Sequence, residues 1–163
     1  MKRTSLIALI AAIVLNSSAS RAQWQSNGAL VCGATGFQTN VTVASDGAGG
    51  AVMAWRDPRN AGVGSDVYAQ RINGSGVPQW TLHGVAVCTL ADDQTVTSII
   101  GDGLGGAIVA WIDKRSGTNY DIYAQRITAA GAVQWAANGI PVCTVTVDDY
   151  GVALVPDGTG GVI

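Results

Sequence analysis

The sequence predicts an all-β protein, a tandem array of four-stranded antiparallel units. Three observations predict it. Trp24, Trp80 and Trp135 each open a Trp-x-x-x-Gly segment, at intervals of 56 and 55 residues. A Val-Cys pair follows every time, as Val31-Cys32, Val87-Cys88 and Val142-Cys143. A glycine turn then recurs as Asp46-Gly47-Ala48-Gly49-Gly50, Asp102-Gly103-Leu104-Gly105-Gly106 and Asp157-Gly158-Thr159-Gly160-Gly161. A fixed period of this size marks an array whose units bury their apolar faces against their neighbours.

The first unit reads in order. Val41-Thr42-Val43-Ala44 alternates and predicts a strand. The turn beginning at Asp46 suits a hairpin because Gly accepts positive φ. Ala51 to Trp55 is the return strand, and Asp57 through Ser65 a polar loop. Asp66 to Ile72 is a third strand, with Val67, Ala69 and Arg71 on one face and Tyr68, Gln70 and Ile72 on the other. Asn73-Gly74-Ser75-Gly76 is a second tight turn, and Val85 to Cys88 a fourth strand. The second unit repeats this as Thr97–Ile100, Ala107–Trp111, Asp121–Ile127 and Ile140–Cys143. A third begins near Asp148 and runs to Ile163. No helical periodicity follows the N-terminal segment.

That segment reads as a secretory signal peptide, residues 1–22. Lys2 and Arg3 precede the uncharged apolar run Leu6–Leu15, and Ser20-Arg21-Ala22 places small residues before a cleavage point between Ala22 and Gln23. The run is too short to span a bilayer comfortably, and nothing later resembles a transmembrane helix. The expected location is secreted, extracellular or cell-surface. Residues 23–163 form the repeat region, with landmarks at 24–79, 80–134 and 135–163.

Without Lys2, Arg3 and Arg21, six basic residues face eleven acidic ones. A chain this acidic, with no basic run, is a poor partner for nucleic acid or anionic membrane. All eleven acids are Asp, a residue of turns and caps, and 22 glycines accompany them. The three cysteines occupy the same apolar position in each unit, so they read as small buried hydrophobes rather than as a disulfide pair. No cofactor is expected. Zinc lacks a CxxC pair; calcium, the alternative that a secreted Asp-rich chain leaves open, lacks an Asp-x-Asp-x-Asp-Gly loop.

Four short strands in about 55 residues is the content of one β-propeller blade. A solenoid coil is shorter, and an immunoglobulin-like sandwich needs about 100 residues. The expected fold is therefore propeller-like blades in an incomplete array. Two full units and part of a third do not close a ring of about four to eight blades. The expectation is a fragment of a longer protein; self-assembly of several copies is the alternative.

The motif Asp-Gly-x-Gly-Gly-x-x-x-Ala-Trp-x-Asp-x-Arg, then Asp-x-Tyr-Ala-Gln-Arg, stands at 46–59 with 66–71 and at 102–115 with 121–126. Trp-x-x-Asn-Gly-x-x-Val-Cys stands at 135–143. This pattern resembles a tandem repeat of long secreted and cell-surface bacterial proteins. The resemblance implies propeller-like blades, in multidomain proteins that carry other binding or sorting modules. It implies little about activity.

Trp55 and Trp111 end apolar strands and are expected in the core. Trp24, Trp80 and Trp135 precede turns, are expected to be partly exposed, and are the candidates for stacking on a sugar ring. Asp57 with Arg59 and Asp113 with Arg115 are expected ion pairs or loop caps. Asp66 with Arg71 and Asp121 with Arg126 are further expected partners. Asp46, Asp102 and Asp157 are expected to cap their own turns. His83 stands where other units have Asn27 and Asn138, in a turn expected to be solvated. The pairs Asp92-Asp93 and Asp148-Asp149 are expected in exposed loops. A catalytic pair normally occurs once per active site, so pairs repeated in every unit read as structural. No Gly-x-Ser-x-Gly elbow, P-loop or zinc-protease motif is present.

The function these residues imply is a non-catalytic module for binding, adhesion or scaffolding, with a glycan or protein ligand. The alternative is part of a propeller-type enzyme acting on glycans, with its catalytic carboxylates in other blades.

Overall fold

The computed structural model describes residues 25–60 and 64–163. The expected signal peptide at 1–22 and Trp24 lie outside the described residues. Eight strands form two antiparallel sheets, and no helix occurs among the described residues. The first sheet runs β1 (Thr39–Ser45), β2 (Ala51–Asp57), β3 (Asp66–Ile72), β4 (Val85–Cys88), in that spatial order. The second runs β5 (Gln94–Gly101), β6 (Ala107–Asp113), β7 (Asp121–Ile127), β8 (Ile140–Cys143). All eight strands expected from the sequence are present, four of them two to four residues longer. In each unit the return strand continues past its tryptophan to an aspartate, Asp57 or Asp113, that the sequence had assigned to the loop.

The two sheets are built alike. Trp55 pairs with Tyr68 across β2 and β3, and Trp111 with Tyr123 across β6 and β7. The register slips between Val67 and Tyr68 against β4, and between Ile122 and Tyr123 against β8. A bulge at the same place in both sheets is a built-in bend, not a defect. The third unit contributes one bridge, Pro156 to Val162, around the Asp157 turn.

The Asp-Gly turns follow from their first residue. Asp46 Oδ1 accepts the amides of Ala48 and Gly50 at 2.8 and 2.7 Å, and Asp102 and Asp157 do the same in their turns. The expected turn caps are therefore all made.

The sheets pack face against face, with β5 lying along β1 and also reaching β2 and β3. Val52, Ala54, Val67 and Ala69 of the first sheet share one core cluster with Val96, Val109 and Trp111 of the second. Small residues on β2 and β3 let the neighbouring sheet approach closely. β6 is buried on both faces for most of its length. One side meets the first sheet, and the segment after β8 lies against the neighbouring strand β5, where the Leu154 amide donates to Ser98 Oγ.

The glycine of the Trp-x-x-Asn-Gly turn sits under a tryptophan. A side chain at Gly139 would collide with the Trp111 ring and the Ala124 carbonyl, and its φ is +87°. Gly84 stands in the same relation to Trp55 and the Ala69 carbonyl. Gly158 also has positive φ, but its surroundings are open. Gly139→Ala is therefore expected to destabilise the fold by about 3 kcal/mol or more, against about 1 kcal/mol for Gly158→Ala. Urea unfolding of the two variants measures the difference.

Candidate functional site

The residues that recur most faithfully meet where one unit ends and the next begins. In the second unit, Asp113 ends β6 with its carboxylate fully buried. Its Oδ2 accepts from Trp111 Nε1 at 2.8 Å and Arg115 Nη2 at 2.6 Å, and its Oδ1 accepts the Arg115 amide at 2.9 Å. The Arg115 guanidinium lies 3.5 Å over the Tyr123 ring and donates to the Asn138 carbonyl. Cys88, from the preceding unit, completes the group. Its thiol donates to Asp113 Oδ2 at 3.7 Å and its sulfur receives Arg115 Nη2 at 3.6 Å.

The first unit repeats this arrangement. Asp57 accepts from Trp55 Nε1 at 2.7 Å and from Arg59 Nη2 at 2.6 Å. Arg59 stacks on Tyr68 and donates to the His83 carbonyl. Cys32 Sγ receives Arg59 Nη2 at 3.5 Å. Trp, Asp, Arg and Tyr of one unit thus grip the Cys of the unit before. Burial pushes the Cys88 thiol up to about 12, so it stays protonated and unreactive at neutral pH. The three cysteines are free.

The expected pairs Asp57–Arg59 and Asp113–Arg115 are therefore formed. The expected pairs Asp66–Arg71 and Asp121–Arg126 are not. Five residues apart on one strand, those side chains lie on opposite faces. Arg71 instead pairs with the turn carboxylate of Asp46 at 2.9 Å, and Arg126 with Asp102 at 3.0 Å. Asp66 receives Asn60 Nδ2, and Asp121 receives Asn119 Nδ2.

Gln70 and Gln125 escaped sequence reasoning. Both are fully buried. Gln70 donates to the Thr81 carbonyl and accepts the Trp80 amide, which fixes the tryptophan turn against β3. Gln125 does the same for Ala136 and Trp135. Their recurrence in Tyr-Ala-Gln-Arg was the available signal.

The candidate stacking tryptophans divide. Trp80 is only 9% exposed, less than the partial exposure expected. Its Nε1 donates to the Ala129 carbonyl at 2.9 Å, and Gly131 of the next unit's turn lies against its ring. Arg71 reaches the same carbonyl. Trp135, its counterpart, is half-buried. The ring of Trp80 is thus engaged in the contact between units.

His83 is half-buried rather than solvated, and its Nδ1 accepts the Gly33 amide at 2.9 Å. Asn138 Oδ1 accepts the Thr89 amide in the same way, which explains why either residue serves. Asp93 lies in a partly exposed loop, where it binds Arg56 and Ser65. Asp148 accepts the Tyr120 amide and the Tyr150 hydroxyl. Lys114 approaches the Tyr120 ring, and Tyr120 tilts against Tyr150, which is 72% exposed. The first unit has Pro58, Ser65 and Thr95 at the places of Lys114, Tyr120 and Tyr150, so these three residues are not part of the repeat. Among the described residues no group of His, Cys, Asp or Glu could hold a metal ion.

No model of a known protein family, no curated protein and no solved structure matches the chain.

Removing the carboxylate while leaving its buried partners should be costly. Asp113→Ala is expected to destabilise the chain by about 3 to 5 kcal/mol. Tyr123→Leu, which removes only the face under Arg115, should cost about 1 kcal/mol. Urea unfolding tests both.

Acid should also unfold the protein. Burial raises the pKa of Asp46, Asp57 and Asp102, but hydrogen bonds and an arginine beside each outweigh it and hold them below 3.8. The stability they contribute is full above the ordinary carboxylate range and lost as pH falls through their lower folded values. Burial raises Asp66, against a smaller opposing hydrogen bond from Asn60, so its contribution has the opposite sign. Three carboxylates outweigh one. The melting temperature is expected to hold between about pH 7 and pH 5 and to fall below about pH 4.

Proposed function

We propose that the chain is a non-catalytic repeat module of a secreted or cell-surface protein, built of propeller-like blades that hold exposed loops for binding or adhesion. One observation carries the reading. The carboxylates and guanidiniums that recur from unit to unit are bonded to other groups of the fold, within a unit or across to the next. Such residues set a scaffold, and residues that depart from the repeat are left to set specificity. The half-buried Lys114 and Tyr120 and the exposed Tyr150 belong to that second kind. Meander sheets whose first strands, β1 and β5, lie side by side fit blades arranged about an axis.

Two assays test the proposal. A reporter lacking its own leader, fused behind residues 1–22, should be exported and cleaved after Ala22; retention inside the cell overturns the secreted reading. The purified chain, applied to a panel of glycans and extracellular proteins, should retain a ligand without breaking it. Released sugar products would favour the glycan-active alternative, and no retained ligand would overturn the binding role.

A further inference from the structure

The first sheet carries an open place that the second sheet has filled. Ala29–Cys32 lies against the first sheet as β4 lies against the second. Cys32 meets Arg59 as Cys88 meets Arg115, at 3.5 and 3.6 Å. The amide after each cysteine donates to the next unit's turn residue, Gly33 to His83 and Thr89 to Asn138. β4 is held on its other side by β3, through Val67 opposite Cys88, Tyr68 opposite Ala86 and Ala69 opposite Val85. Ala29–Cys32 has no ladder partner among the described residues.

Beside it lies a cleft of about 390 Å³, lined by Ala29, Val31, Cys32, Val41 and Met53 among others, with no charged side chain. Val41 is 60% and Leu30 68% exposed. Val109, which stands in the second sheet where Met53 stands in the first, is fully buried in one cluster with Val67 and Ala69. The internal contact therefore displays the complement of the open one. It is a strand with a branched apolar residue and then Ala two positions on, its edge satisfying the backbone of the outer segment.

We propose that Ala29–Cys32 and the apolar cleft beside it form a strand acceptor. Its partner is an extended segment of the repeat's own kind, Asp-Val/Ile-Tyr-Ala-Gln-Arg, entering antiparallel. By the register of β3 on β4, the Val or Ile lies opposite Cys32, the Tyr opposite Leu30 and the Ala opposite Ala29. Main-chain hydrogen bonds supply affinity, and the alternate small side chains in the cleft supply selectivity. An acidic or bulky residue at either inward position would meet an uncharged, shallow floor. The proposal rests on the contact between units and not on ring closure or on any bound ligand, so it stands or falls separately from the function above.

The test uses the full chain and a fluorescent peptide with the seven-residue sequence of β7, Asp-Ile-Tyr-Ala-Gln-Arg-Ile. Anisotropy should show saturable binding, and hydrogen exchange should slow at residues 29–32. The same peptide with aspartate in place of its inward Ile and Ala should bind at least about tenfold more weakly. Val41→Asp, at an exposed position, should weaken binding comparably with unchanged circular dichroism. Leu30→Pro, which removes an amide of the edge segment and leaves Val41 in place, gives a second route to the same loss should Val41→Asp disturb folding. Absence of binding overturns the proposal. So does binding that leaves exchange at 29–32 unchanged, or that is indifferent to the peptide's inward residues.

Discussion

Each unit places one fully buried carboxylate, Asp57 or Asp113, at the end of its second strand, and the contact between units is organised around it. A buried carboxylate is tolerable only when its charge and lone pairs are met. Here an indole, a guanidinium and a backbone amide meet them. The guanidinium is in turn held flat on a tyrosine and tied to the following turn. Once these four groups are fixed, a shaped hollow remains for the cysteine of the preceding unit. A thiol fits because it is small and can give a weak hydrogen bond to the carboxylate.

A second set of ties joins the same two units at a different place. Trp80 and Arg71 of one unit both donate to the Ala129 carbonyl in the next unit's turn. Gly131 lets that turn approach the indole ring. Between the two sets lie the small residues of β2 and β3, facing Val96, Val109 and Trp111. The sheets therefore share a core rather than each having its own. Few large apolar side chains are needed, because polar groups at both ends set the spacing and valine and alanine fill what is left.

Much of this was legible in the sequence, and the reason is the repeat. Two copies of one pattern place every strand and turn twice, so chance apolar runs drop out. The Asp turn caps and the Asp57–Arg59 pair were legible because they are local, two to four residues apart. What could not be read depends on groups brought from elsewhere. Arg71 meets Asp46 rather than Asp66 because partnership on a strand follows faces, and the hairpin brings the turn carboxylate to that face. Trp80 reads as a turn residue and is buried because a neighbouring unit's turn lies on it. His83 reads as a surface substitution, yet its ring nitrogen does the work of an Asn oxygen. The two glutamines drew no attention, since the sequence does not show that the tryptophan turn folds back onto their strand.

The central claim is that the two sheets stand together through the corner built on Asp113. Hydrogen exchange of the Asp113→Ala chain, read at the amides of β2 and β3 in the first sheet, tests it most directly. If the corner holds both sheets in one cooperative unit, those amides lose protection along with β6 and β7, although the substitution lies in the other sheet. If β2 and β3 keep the protection of the unaltered chain while β6 and β7 lose theirs, the sheets are independently stable, and the account of the contact between them is wrong.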